Sequence, residues 1–174
     1  MRAAGSRRPS SSSSAPLVSH PIEIARRDLS RARLGVVTRL LLQQCDAEAR
    51  AALELALRSD PADPRIALLL VRLLASSKQA DVRDGMLALS IARPLEAVYP
   101  TSRNAEAVAL LHAELGDFEE AIDWQKKALE RARSSGEAVL IEKLEQRLDL
   151  FEGGVAWRAE DPAELIATSK RPRR

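Results

Sequence analysis

The chain has 174 residues, 45% of them apolar but only 3% aromatic, and 27 basic against 25 acidic side chains leave a net charge of +2. That length fits one domain with tails; the single cysteine, Cys45, excludes an internal disulfide, and no apolar run reaches the roughly 18 residues of a membrane-spanning helix. The charge is uneven: residues 1–33 carry seven Arg against two acidic residues, whereas 34–150 carry 15 basic and 19 acidic, so the basic character belongs to the ends and argues against a nucleic-acid-binding body.

Residues 1–20 are rich in Ser, Arg and Pro and are expected to be a disordered tail. Their arginines are not followed by the apolar region of a secretory signal. The expected location is therefore cytoplasmic, or exported if the true start lies elsewhere. From Pro21 to about Phe151 the apolar residues, mostly Leu and Ala, follow helical spacing. The spacing predicts helices over 22–43, 46–59, 64–77, 83–99, 103–115, 118–134 and 137–151. In the first, Ile22, Ile24, Leu29, Leu34, Val36, Val37, Leu40 and Leu41 spread over more than one face. Such a helix wants more cover than one neighbour gives, which is a route to self-association.

Pro61 and Pro64 end the first helix pair, Pro100 the next, and Gly136 a third. Intervals of 39 residues from Pro61 to Pro100 and 36 from there to Gly136 are those of stacked helical hairpins. In 64–77, Arg65, Arg72 and Ser76 form a polar stripe. In 83–99, Pro94 lacks an N–H and crowds the preceding turn, so a kink is expected. In 103–115, Arg103, Glu106, Leu110 and Glu114 are spaced along one face. Gly116 should end that helix in a left-handed conformation. Asp117 is placed to cap the next helix, Phe118 to fill the gap between the two, and Ala121 and Ala128 to allow close approach. Helix 137–151 should bury Leu140, Leu144, Leu148 and Phe151 and present Lys143, Glu145, Gln146 and Asp149 to water, as a terminal cap requires.

Gly116, Phe118, Ala121 and Ala128 occupy the signature positions of the tetratricopeptide repeat, and the chain resembles that family, in a bacterial variant with a closing helix. Ala88, Ala92 and Pro100 match the preceding hairpin, whose joint over 76–85, ending in Arg83-Asp84-Gly85, is longer than usual. Ala49, Ala56 and Pro61 match the first. Ala105, His112 and Gln125 stand where the family favours aromatic residues. Trp157, beyond Gly153-Gly154, is expected to fold back onto the last hairpin. The resemblance implies an all-α fold: a short right-handed α-solenoid of about three hairpins plus a capping helix. The scheme is a tail over 1–20, a repeat domain over 21–158, and a flexible basic tail over 159–174.

No Gly-rich phosphate loop, CxxC pair or HExxH motif occurs. His20 and His112 do not suggest a metal site, and Glu119-Glu120 suit a helix start. No enzyme activity, cofactor or metal is therefore expected. The expected function is a non-catalytic scaffold or adaptor holding a partner protein or peptide. By the resemblance, Arg65, Arg72, Ser76, Arg103, Glu106, Leu110 and Glu114 line the concave groove, where three arginines suit an acidic or C-terminal segment. The alternatives are a structural or self-associating module and, last, nucleic-acid binding through the basic ends, including Lys170 to Arg174.

Overall fold

The computed structural model describes residues 21–166. They form eight helices: α1 (Pro21–Leu42), α2 (Asp46–Ser59), α3 (Pro64–Ser76), α4 (Gly85–Val98), α5 (Ser102–Glu114), α6 (Phe118–Ser135), α7 (Ala138–Glu152) and α8 (Pro162–Ile166). No strand occurs among the described residues, so the fold is all-α. The first seven match the expected helices within two residues at each end. The eighth was not expected. The serine-rich segment 1–20 lies outside the described residues.

The helix starts follow from local chemistry. Asp63 caps α3 by accepting from the Arg65 N–H, with Pro64 as the first helical residue. Asp84 caps α4 through the Leu87 N–H, and Thr101 caps α5 through the Asn104 N–H. Between α5 and α6, Gly116 sits at φ +81°, the left-handed region that a side chain would strain. Asp117 precedes α6 but makes no side-chain cap. Its carboxylate instead pairs with His112 Nδ1 at 3.2 Å, tying the end of α5 to the start of α6. α4 runs as one helix through Pro94.

Each of the first seven helices packs on its neighbour in sequence, and α5 also packs on α3. α3 is therefore enclosed on several sides, and every residue from Ile66 to Ser76 is buried. Ala121 and Ala128 are fully buried where α6 meets its neighbours, as close helix approach requires. Ala88 is likewise buried, whereas Pro61 and Pro100 lie exposed at the turns. A second, smaller apolar cluster joins Ala105, Ala128, Leu129, Ala132, Leu140 and Leu144 across α5, α6 and α7. α1 buries Val37 and Leu41 but leaves Ile22, Leu29 and Val36 at least half exposed.

The expected boundary at 158 is corrected. After Gly153-Gly154 the chain turns, the Val155 N–H donating to the Leu150 carbonyl. Residues 155–166 then run back over the body. Ala159 and Leu165 are buried, and both join the main apolar cluster. α8 packs on α3 and α1. Residues 159–166 therefore belong to the packed unit rather than to a flexible tail, because this stretch supplies apolar and acidic groups that the inner helices accommodate. The basic stretch from Lys170 to Arg174 lies outside the described residues.

Candidate functional site

The face made by α3, α5 and α7 carries an unusual amount of buried charge. Glu106 on α5 is fully buried and receives two arginines. Arg72 on α3 donates from Nη1 to its Oε2 at 2.6 Å, and Arg147 on α7 donates from Nη1 to its Oε1. The side chains of Arg72 and Arg147 are 1% and 5% exposed. Two guanidiniums thus share one buried carboxylate, and the Nε atoms of both arginines have no hydrogen-bond partner. Burial pushes Arg72 down to about 10, opposed by the charge of Glu164. Burial, joined by repulsion from Arg72, pushes Arg147 down to about 9, again opposed by Glu164. Both remain charged at neutral pH, so the cluster holds an excess positive charge out of water.

The returning segment closes over this cluster. The Trp157 ring lies on Arg147, with its centroid 4.0 Å from the guanidinium carbon. Arg158 pairs with Glu114 at 2.5 Å, and Glu114 also accepts from Arg83 at 2.9 Å. The Ala159 N–H donates to the Ser76 carbonyl at 3.0 Å. Glu160 pairs with Lys78 at 2.6 Å. The Glu164 carbonyl accepts from Arg72 Nη2 at 3.2 Å. The segment therefore crosses from α7 over α5 and α3, and α8 carries it on to α1.

This placement divides the seven residues expected to face a partner. Arg72, Ser76, Glu106 and Leu110 are buried, and Glu114 is largely covered through Arg158. As an open binding surface these five are corrected: their face is already occupied by residues 155–166. The Ser76 hydroxyl turns inward to the Arg72 carbonyl at 2.6 Å. Arg65 and Arg103 lie apart from them, at the starts of α3 and α5. Arg65 pairs with Asp63 at 3.2 Å, and Arg103 with Glu137 at 3.7 Å. Both line a separate open cleft of about 1310 Å³. Burial lowers the Arg103 guanidinium, the Glu137 charge opposes this, and the Arg72 charge adds to it.

Arg147 and Trp157 were not among the expected site residues. Arg147 had a legible signal: it follows Leu144 by three positions and precedes Phe151 by four, within the buried stripe of α7. A cation on such a stripe needs a buried acceptor, and Glu106 supplies it.

A smaller cavity of about 540 Å³ opens among α4, α5 and α6, lined by Arg93, Glu96, His112, Asp117, Glu120 and Trp124. Glu96 is committed to Arg131 at 2.5 Å, and Lys127 lies 4.1 Å from the centroid of Trp124. No group of three or more His, Cys, Asp or Glu side chains suited to a metal ion occurs among the described residues. No described helix is long and apolar enough to cross a membrane. The chain matches no family model, and the searches of curated proteins and of solved structures gave no significant match.

Proposed function

We propose that the chain is a non-catalytic adaptor of the tetratricopeptide type, a short α-solenoid that holds an extended polypeptide across the inner face of α3, α5 and α7. The observation that carries this reading is the path of residues 155–166, which cross successive helices with a main-chain hydrogen bond, ion pairs and an aromatic contact. A face that accommodates one such segment has the chemistry to hold another. Gly116, Phe118, Ala121 and Ala128 support the repeat reading: a left-handed joint, a partly buried ring between helices, and two buried small residues.

The test is site-resolved crosslinking with the tagged full chain in cells of its source. Crosslinks from Lys78, which borders this face, to a partner are expected, and Lys78→Glu should lower the amount of that partner recovered with the tagged chain, without loss of helicity. Partner crosslinks confined to Lys126 and Lys127 on α6, and indifferent to Lys78→Glu, would refute the assignment of the face. Alanine at Arg72 does not separate binding from folding, because Arg72 is a buried partner of Glu106.

A structural, self-associating role is the second reading. The exposed apolar residues of α1 favour it. Sedimentation as a strict monomer at high micromolar concentration would count against it.

A further inference from the structure

We infer that residues 155–166 are a displaceable internal occupant of the α3–α5–α7 face, and that the partner they exclude is an acidic polypeptide segment carrying an aromatic residue followed by acidic residues and a leucine. This rests on the adaptor reading of that face.

Charge complementarity defines the partner. The covered face presents Arg72, Lys78, Arg83 and Arg147 against Glu106 and Glu114, a net of +2. The segment presents Glu160, Asp161 and Glu164 against Arg158, a net of −2. The acidic excess of one matches the basic excess of the other. The Glu164 charge in particular steadies both buried arginines. A competing segment must supply the same features. It needs a ring for Arg147, a carbonyl or carboxylate for Arg72, and an apolar side chain where Leu165 is buried.

The segment is also built to leave. It hangs from Gly153-Gly154, and Gly154 holds φ +70° at the turn. α8 has five residues, too few to persist as a helix without its packing. The Lys78–Glu160 pair is largely solvent-exposed, with side chains 53% and 78% exposed, so it adds little to closure. Opening here leaves the packing of α1 to α7 on one another in place, as a local opening requires.

The experiment uses the full chain carrying Trp157→Ala and Leu165→Asp, with a labelled peptide of residues 155–166 (VAWRAEDPAELI) as the probe. The variant should bind the peptide saturably. The wild type should bind it at least about tenfold more weakly, because its face is occupied and only the open fraction competes. A peptide with Glu160, Asp161 and Glu164 changed to Gln should lose affinity, and salt should weaken the original. A variant of unchanged helicity that ignores the peptide overturns the inference, as does a wild type that binds as tightly as the variant. A wild type that dimerises by exchanging intact segments overturns it too, since the occupant would then be a second copy.

Should the variant lose helicity, hydrogen exchange in the wild type decides. The Ala159 amide should exchange about a hundredfold or more faster than amides within α3 and α5. Equal rates would mean that the segment opens only with global unfolding, and the inference falls. Failure here with Lys78-dependent partner crosslinking intact removes the internal occupant but leaves the adaptor. Peptide binding without such crosslinking does the reverse.

Discussion

Glu106→Gln tests the buried cluster directly. The change keeps size and removes one charge from a fully buried position. It leaves the guanidiniums of Arg72 and Arg147, 1% and 5% exposed, without a buried counter-charge. Their remaining help is the Trp157 ring on Arg147, the Glu164 carbonyl on Arg72 and the Glu164 charge. The glutamine can accept through its oxygen from one arginine only, and its amide hydrogens then face the donors of the other. Breaking a buried ion pair by removing one partner costs about 3–5 kcal/mol. Each kcal/mol lowers Tm by about 2–4 °C in a chain of this size, so a fall of about 6–20 °C is expected. Far-UV circular dichroism against temperature reads it. Glu54→Gln is the control. Its pair with Arg50 is 30% and 24% exposed, and its loss should cost at most about 1 kcal/mol. Adding Arg147→Met to Glu106→Gln should recover part of the loss, because it removes an uncompensated cation. A Glu106→Gln variant that melts with the Glu54→Gln control would refute the reasoning, and so would a double variant less stable than Glu106→Gln alone.

Three further outcomes are expected. Asp63→Ala removes the cap of α3 and should cost about 1 kcal/mol. Burial raises the Asp63 carboxyl, but hydrogen bonds from Arg65 and Ser30 and the Arg65 charge outweigh it and hold its pKa below the ordinary 3.8. The unfolded chain therefore takes up this proton first as pH falls. The contribution is complete above about pH 4 and is lost as pH drops through the folded value, so denaturant titrations should show wild type and Asp63→Ala converging only in acid. Gly116→Val forces a β-branched residue to φ +81° and should cost about 1–2 kcal/mol; an unchanged Tm would contradict the strain. Ala128→Leu adds volume at a fully buried contact and should cost about 1–3 kcal/mol, whereas Ala138→Leu at an exposed site should be near neutral in the same melt.

The helices were legible because their signals are local. Pro61 and Pro100 mark turns between helix pairs, and Gly116 announces the left-handed joint. The leucine and alanine spacing gave the right faces of α6 and α7, including Leu140, Leu144 and Phe151. Asp117 was misjudged for a local reason as well. It stands at the capping position, but His112, five residues earlier, competes for its carboxylate. Gln125 shows the same competition. It stands where the tetratricopeptide resemblance leads us to expect a ring, yet it is fully buried, and its amide donates to the Leu144 carbonyl at 2.7 Å. A polar side chain replaces aromatic packing there with a bond to the next helix.

The site was half legible, and the missing half follows from what periodicity measures. Arg72 and Ser76, and Glu106 and Glu114, lie at helical spacing, so they group on common faces; that much the pattern fixes. It does not fix whether a polar face meets water or another charged face. What covers Arg72 is the carbonyl of Glu164, 92 residues further along the chain. The distinguishing signal lies in two stretches taken together. α7 carries a cation, Arg147, on its buried stripe. Beyond Gly153-Gly154 comes a short segment with a ring, three acidic residues and a leucine. A buried cation demands an acceptor, and an amphipathic acidic segment beyond a glycine pair demands a basic face. Each demand alone has many answers. In this fold Glu106 meets the first and the face of α3, α5 and α7 meets the second: the segment folds back onto the arginines, and the surface that looked open in sequence becomes the floor of an occupied groove.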